Sequence, residues 1–337
     1  MNKFFLVATA LFLALFLFRV GQTGGLSKPG IDPELENLSS GFIPSRDFLA
    51  GKIEEILPQP QAALLAGILL GVKSQLPKDF NNALRRTSTI HIVVVSGQNL
   101  SLLIGFLMKL SFLGRRKMTF VSFAVIILYP LLTGLQVPVL RAALMIGLAS
   151  AAQLLGRERD GVWILLLTGF AMLLYNPNWI FSISFQLSFL ATVGVIVVAP
   201  ELVKKLNRAP EIIRQDLGVS LAAQALTWPV IAANFHQASL IGVVVNTLVL
   251  WTISFIMVSG VIALAGVLTS PALGSLLALI PGVLLTYFIY VVSFFDRLPL
   301  ASIYVGRLSP LVWVGYYILV LGLFLWLKSL KPNEALT

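Results

Sequence analysis

The chain has 337 residues, of which 58% are hydrophobic and only 11% are charged, and its net charge is +10. Soluble globular proteins carry about 25% charged residues, so this composition indicates an integral membrane protein. The lack of cysteine excludes disulfides, iron–sulfur clusters and thiolate zinc sites, and with only two histidines we expect neither a metal site nor a cofactor.

The first 60 residues are predicted to form an anchor helix followed by an exposed loop. The apolar run 4–18 is flanked by Lys3 and Arg19 and lacks an A-x-A-like cleavage site, which favours a retained span over a signal peptide. Residues 21–60 are rich in carboxylates, proline and glycine. They are therefore predicted to lie outside the bilayer.

Two short helices are predicted next. Residues 61–72 are apolar but too few to cross a hydrocarbon core of roughly 30 Å, so we expect a re-entrant or interfacial helix. Residues 74–87 are more polar, with Pro77 in the first turn and Phe80 and Leu84 on one side. This pattern predicts an amphipathic helix.

The remaining chain predicts an all-α polytopic membrane protein of about ten transmembrane helices, with a translocation domain at 61–331 and a tail at 332–337. Lys and Arg cluster on alternate connections, which places both termini in the cytoplasm. After the anchor helix, the predicted spans are 90–112, 118–135, 137–155, 161–175, 181–199, 217–234, 240–268, 272–295 and 310–328.

The span 90–112 is unusually polar. His91, Gln98 and Ser101 fall on one helical face, and Ser96 and Asn99 lie beside it. Such residues either line a permeation path, with Ser96 and Gly97 as a helix break, or hydrogen-bond between helices. We favour a path because the polar groups outnumber what a single packing contact requires.

Further polar residues extend this path. Arg141, near the start of its span, is interpreted either as a phosphate or carboxylate contact or as a structural partner of carbonyls or lipid phosphate. The other candidates are Ser182, Gln186, Ser188, Gln224 and Asn246.

No predicted span contains Asp or Glu, which disfavours transport coupled to an ion on an intramembrane carboxylate. The net positive charge is explained either by ordinary basic cytoplasmic loops or by a polyanionic substrate. The sequence contains no nucleophile–base constellation, carboxylate pair or phosphate-cradling loop, so we predict that the chain is not an enzyme.

An ordered set of motifs resembles the membrane domain of the ComEC-type DNA-internalisation proteins over about residues 61–310. The matching stretches are Leu69-Leu70-Gly71, Leu84-Arg85-Arg86, His91-Ile92-Val93-Val94-Val95-Ser96-Gly97, Leu132-Thr133-Gly134, Pro138-Val139-Leu140-Arg141-Ala142, Asn176-Pro177, Phe181-Ser182-Ile183-Ser184-Phe185-Gln186-Leu187-Ser188-Phe189 and residues 235–246.

The resemblance implies a plasma-membrane channel for single-stranded DNA in natural transformation. It places Arg85 and Arg86 at a basic outer mouth and implies a cytoplasmic ATPase or helicase, a DNA receptor and a separate nuclease as partners. Three features depart from the family: Asn99 replaces its usual histidine, the N-terminal loop is short for its small β-barrel, and the metallo-β-lactamase-like domain is lacking.

Two other functions remain open from the residues alone. A secondary transporter of a small anion or nucleotide could use the same polar residues. A non-transporting scaffold for a membrane complex would tolerate substitution of Ser96, Gln98 and Gln186.

Overall fold

The computed structural model describes residues 3–23, 25–26, 33–72, 76–93, 96–109, 115–158, 160–206, 210–239, 241–298, 303–306 and 309–329, and the predicted tail 332–337 lies outside them. Within these residues the chain is almost entirely helical. The α-helices are α1 (Lys3–Gln22), α2 (Pro33–Ser40), α3 (Ile43–Ile56), α4 (Gln61–Leu70), α5 (Lys78–Arg86), α6 (Ile90–Val93), α7 (Gly97–Lys109), α8 (Arg115–Thr133), α9 (Val137–Leu154), α10 (Gly161–Tyr175), α11 (Ile183–Val193), α12 (Ala199–Lys205), α13 (Glu211–Phe235), α14 (Gly242–Thr269), α15 (Pro271–Asp296) and α16 (Pro310–Ser329).

Three smaller kinds of element complete the fold. A 3₁₀-helix (Pro177–Phe181) precedes α11, and a π-helical turn (Gly194–Val198) joins α11 to α12. Two-residue strands β1 (Gln237–Ala238) and β2 (Ile303–Tyr304) pair antiparallel.

The structure confirms an all-α, multi-pass membrane protein, but not the predicted count of ten spans. Six helices in the described part of the chain are long and apolar enough to cross a bilayer: Val137–Leu154, Ile183–Lys205, Arg214–Phe235, Gly242–Thr269, Pro271–Asp296 and Leu311–Ser329. The 15 residues of α10 rise only about 22 Å at 1.5 Å per residue. Helices of that length fall short of a core of about 30 Å.

The helices also extend further than predicted, which corrects the expectation that no span contains a carboxylate. Glu201, Asp216 and Asp296 all lie within the six long apolar helices. Each is near the end of its helix, where a charge reaches the interface more easily than at the bilayer centre.

The predicted exposed loop at 21–60 is partly wrong, because residues 33–40 and 43–56 are helical. Ala50, Ile53 and Leu57 recur at three- and four-residue intervals and are buried in the main hydrophobic core. This apolar stripe is short, and the surrounding charges mask it in the sequence.

The short helix α4 is present as predicted, but an interfacial position is wrong. Every residue from 62 to 70 is buried, and α4 packs against α3, α14 and α15. The helix ends at Gly71, which has a left-handed φ of 74°. Because protein surrounds it on all sides, this helix needs no contact with lipid or water.

The hairpin of α14 and α15 forms the densest part of the core. The two helices meet through small residues, and a Cβ atom added at Gly274 would lie 2.5 Å from the Cβ and 2.7 Å from the Cα of Val267. Small residues allow such close approach of helices inside a membrane, where van der Waals packing drives association.

Helix α16 is attached to α13 through tyrosines. The hydroxyl groups of Tyr316 and Tyr317 donate hydrogen bonds to the carbonyl oxygens of Ala225 and Leu226, at 3.0 and 2.9 Å. Pro229 lies inside α13 and has no N–H to bond the carbonyl four residues earlier. The first tyrosine therefore satisfies the carbonyl that this proline leaves free.

We expect Gly274→Ala to destabilise the protein by about 1–3 kcal/mol, because the new methyl group overlaps backbone atoms of α14 that have no room to move. Thermal unfolding in detergent, followed by circular dichroism, measures the effect. Gly315→Ala is the matched control, since a Cβ atom there meets nothing within 4 Å. Equal melting temperatures for the two variants would contradict this packing.

Candidate functional site

The polar stretch near residue 90 is broken, as predicted. Helix α6 ends at Val93 and α7 begins at Gly97, with 94 and 95 outside the described residues. The break separates His91 from Gln98 and Ser101, so the predicted single continuous face is not formed. A helix break of this kind leaves backbone N–H groups at the start of α7 without intrahelical acceptors.

Asn99 holds the break in place. Its Nδ2 donates to the carbonyl oxygen of Ile68 at 2.9 Å, and its Oδ1 accepts from the hydroxyl group of Ser96 at 3.0 Å. The Ile68 carbonyl is near the end of α4, where the N–H groups of Gly71 and Val72 bond to earlier carbonyls. Asn99 is almost fully buried, at 2% exposure, and its role is to join α7 to α4.

Gly97 allows α7 to begin directly against α9. A Cβ atom at this position would lie 2.8 Å from Nη2 of Arg141, 2.8 Å from the Cβ of Ala142 and 3.3 Å from the carbonyl oxygen of Pro138. The glycine is therefore required by the contact between the two helices. It also brings the first turn of α7 next to the guanidinium group.

Arg141 is partly buried and is held by neutral partners. Its Nε donates to Oγ of Ser188 at 2.7 Å, and its Nη1 lies 3.3 Å from the sulfur of Met145. The ion pairs found in the described part of the chain are Arg46–Asp47, Lys52–Glu55, Arg86–Asp296 and Lys204–Glu201. None of these carboxylates neutralises Arg141.

A cavity of about 320 Å³ lies beside this arginine. Its polar end carries Gln98, Ser101 and Arg141, and from there it follows α9 along Met145 and Ala149. No carboxylate lines it. The lining residues are Gly97, Gln98, Ser101, Arg141, Ala142, Met145, Ile146, Ala149, Gly161 and Ile164.

The polar end of the cavity is suited to an anion. The N-terminus of a helix carries a partial positive charge and free N–H groups, and α7 presents this end beside the guanidinium group of Arg141. A charged arginine in a low-dielectric setting is stable only with compensating interactions. An anion bound here would supply the negative charge that the lining lacks.

The cavity lies within a larger arrangement of helices. Helix α7 contacts α9 and α14, α9 contacts α11, α11 contacts α13, and α13 contacts α14. In the described residues these contacts close into a ring of five helices. Arg141 on α9 and Ser188 on α11 bridge two of its members.

The structure brings together only part of the predicted path. Gly97, Gln98, Ser101 and Arg141 line the cavity, and Ser188 holds the arginine.

The other predicted residues lie elsewhere. Ser182 caps α11 by accepting from the N–H of Phe185, and Gln186 donates to the carbonyl oxygen of Ile180. Gln224 donates to the carbonyl oxygen of Ser239. His91 is exposed on α6 and Asn246 is buried in α14, and neither lines the cavity.

The two arginines of the predicted mouth differ. Arg86 forms a two-point ion pair with Asp296, at 2.6 and 2.7 Å, so its charge is already neutralised by α15. Arg85 is exposed at the end of α5. The pairing of Arg86 could not be predicted from a local pattern, because its partner is 210 residues away along the chain.

Six cavity residues were missed from the sequence: Ala142, Met145, Ile146, Ala149, Gly161 and Ile164. Met145 and Ala149 follow Arg141 at four-residue intervals, a spacing that could have placed them on the same face of α9. Gly161 and Ile164 come from α10, and no local pattern indicates that α10 reaches this cavity.

We expect Gly97→Ala to shift Arg141 and to destabilise the protein by about 1–3 kcal/mol, because the methyl group overlaps Nη2 and Ala142. Thermal unfolding measures the loss. Gly105→Ala on the same helix meets nothing within 4 Å and serves as the control. If Gly97→Ala unfolds at the same temperature as this control, the close contact of α7 with α9 is wrong.

The lack of cysteine makes the electrostatics of the cavity measurable. A cysteine placed by Ser101→Cys should react severalfold faster with an anionic methanethiosulfonate than with a cationic one, because Arg141 raises the local anion concentration. Asn234→Cys, at the exposed end of α13, reports the intrinsic ratio of the two reagents. Adding Arg141→Gln should abolish the preference, and a preference that persists would contradict an uncompensated charge.

Comparison with known proteins identifies relatives. Residues 68–330 match the family model described as Competence protein. ComE operon protein 3 of Bacillus subtilis (strain 168) is 27% identical over 268 residues, 79% of this chain and 33% of the relative. The uncharacterized protein YcaI of Escherichia coli (strain K12) is 30% identical over 235 residues, which cover 64% of this chain and 30% of the relative.

An uncharacterized protein of Aquifex aeolicus (strain VF5) is 30% identical over 169 residues, 49% of this chain and 39% of the relative. No solved structure matches the chain. The chain thus spans about a third of the length of the curated relatives it matches most extensively. Because the family model covers most of the chain, including every cavity-lining residue, the protein belongs to the competence protein family.

Proposed function

We propose that the chain is the membrane conduit of a competence-type DNA-uptake system and carries single-stranded DNA across the plasma membrane. The observation that carries this proposal is the cavity whose polar end holds Arg141 without a carboxylate partner. DNA supplies one phosphate after another, so each phosphate can occupy the anion site in turn. Family membership supports the same substrate.

The binding chemistry suits passage rather than tight capture. Arg141 and the start of α7 offer a single anion site, and Gln98 and Ser101 add neutral polar groups. A conduit requires sites that bind favourably enough for entry and weakly enough for release. Neutral groups beside one charge meet that requirement better than a cluster of arginines.

The arrangement in the membrane follows from the basic connections. Arg115 and Lys117 lie at the start of α8, Arg157 follows α9, and Lys204 lies at the end of α12. Because basic residues favour the cytoplasmic side, we infer that these helix ends and both termini lie in the cytoplasm. Helices α7 and α9 then begin at the outer side. The anion site would lie in the outer half of the membrane, where an incoming strand arrives first.

The chain itself is proposed to perform no chemistry. Among the described residues no group of three or more His, Cys, Asp or Glu is placed to hold a metal ion, and the cavity lining contains no acid–base pair. The energy for translocation is therefore assigned to a cytoplasmic ATPase or helicase. A DNA receptor would deliver the strand and a separate nuclease would prepare it.

Arg141→Gln should reduce DNA entry about 10- to 100-fold, because a hydrogen bond to a charged group contributes about 1.5–3 kcal/mol. The chain is reconstituted in proteoliposomes, a potassium diffusion potential draws a fluorescent single-stranded oligonucleotide inward, and DNA protected from external nuclease is counted. Arg157→Gln is the control, since this exposed arginine lies outside the cavity.

Two outcomes would overturn the proposal. DNA entry that is unchanged by Arg141→Gln would remove the arginine from the path. Entry of a labelled nucleoside monophosphate without any entry of DNA would identify a small-anion transporter instead. A melting temperature close to that of the parent chain shows that Arg141→Gln remains folded.

A further inference from the structure

A second set of polar groups lies where α13 meets α14, away from the cavity. Three side chains form it, Ser220 and Gln224 on α13 and Asn246 on α14, and we call them the polar seam. Oγ of Ser220, Oε1 of Gln224 and Oδ1 of Asn246 are buried and have no hydrogen-bond partner among the described residues. Ser220 and Asn246 are only 6% and 7% exposed.

A hydrogen bond near the start of α14 links this part of α13 to α14. Nε2 of Gln224 on α13 donates to the carbonyl oxygen of Ser239 at 3.2 Å. Ser239 is itself close to the start of α14, because its Oγ lies 3.3 Å from the place where a Cβ atom on Gly242, the first residue of α14, would be. Asn246 is one turn further along the same face of α14. Ser220 is one turn back from Gln224, on the same face of α13.

The polar seam differs from the threonines of these two helices. Thr227 on α13 donates to the carbonyl oxygen of Ala223, and Thr252 on α14 donates to that of Val249. Helical residues can satisfy a hydroxyl group in this way without a partner helix. The oxygens of the polar seam have no such partner among the described residues.

The opposite face of α13 is packed much more closely. A Cβ atom at Gly194 would lie 2.6 Å from the carbonyl oxygen of Ala222, and one at Gly218 would lie 2.5 Å from a methyl carbon of Val203. These contacts fix α13 to the helix formed by α11, the π-helical turn and α12. The tyrosines of α16 also hold α13.

The polar seam thus lies between two groups of joined helices. Helices α11, α12, α13 and α16 form one group, and the α14–α15 hairpin belongs to the other. Buried acceptors without donors oppose closure because their water is removed and not replaced. Separation of α13 from α14 would return water to all three oxygens.

We propose that the ring opens at the polar seam and that this opening widens the path for a passing strand. The role of the opening in DNA passage rests on the proposed function. The opening itself is a property of this chain and can be tested without DNA. The structure describes the closed arrangement.

The first test uses substitutions that we expect to raise the melting temperature, whereas ordinary damage to a core lowers it. Ser220→Ala and Asn246→Leu remove two of the unpaired oxygens and keep the hydrogen bond from Gln224 to Ser239. We expect the double variant to melt at a higher temperature than the parent chain and to admit DNA severalfold more slowly in the proteoliposome assay. Thr227→Val is the control, because its hydroxyl group is already satisfied within α13.

A lower melting temperature of the double variant, or DNA entry at the parental rate, would overturn the proposal. A second measurement is independent of transport. Asn246→Cys in this cysteine-free chain should react with a small water-soluble thiol reagent at a measurable rate in the folded protein, and Ser220→Ala should slow that reaction. Absence of any reaction in the folded protein would also overturn it.

The two proposals fail in different ways. If the parent chain admits no DNA, the proposed function is wrong, whereas melting temperature and cysteine reactivity still decide whether the polar seam opens. If DNA enters and Arg141→Gln blocks it but the polar seam variants behave like the parent, only the opening is wrong.

Discussion

The position of Arg141 against the first turn of α7 is the interaction on which the candidate site depends. A guanidinium group and a helix N-terminus both attract anions, and two positive features placed together repel each other unless an anion lies between them. Gly97 permits this proximity because it lacks a side chain. Ser188 and Met145 orient the arginine but leave its charge intact.

The rest of the fold keeps α7 in that position. Asn99 ties its first turn to Ile68 at the end of α4, and α4 is enclosed by α3 and the α14–α15 hairpin. The amide at position 99 bonds as a donor and an acceptor at once, which a carboxylate could not do. Thus Asn99, where related sequences are expected to carry histidine, has a clear structural role in this chain and takes no part in proton transfer.

The sequence predicted the helices well because membrane spans are encoded by long apolar runs. The bounds predicted at 161–175 coincide with α10 (Gly161–Tyr175), although α10 is too short to be counted as a span, and the predicted span 310–328 differs from α16 (Pro310–Ser329) by one residue. The break before Gly97 and the amphipathic α5 were predicted as well. Helix α3 was missed because its apolar stripe is shorter than the charged sequence around it.

The site was predicted only in part, for a physical reason. A polar residue inside a bilayer must be satisfied, but the sequence does not say by what. Gln186 and Ser182 bond to backbone close to them in sequence, and Arg86 is paired with distant Asp296. Gln98, Ser101 and Arg141 meet at the cavity because α7 and α9 begin at the same end of the ring.

Most polar side chains in the long helices are satisfied locally, which makes the exceptions informative. Thr168 and Thr247, for example, donate to carbonyl oxygens one turn earlier in their own helices. Such residues are compatible with lipid or with protein and place no demand on a neighbour. Arg141 and the polar seam are not satisfied in this way. Arg141 lacks a neutralising anion, and the oxygens of the polar seam lack hydrogen-bond partners among the described residues. Both lie in the same ring of helices. Arg141 is on α9, the polar seam is on α13 and α14, and α11 lies between α9 and α13 in the ring. In the proposed function, Arg141 would bind the polyanion and the polar seam would open for its passage.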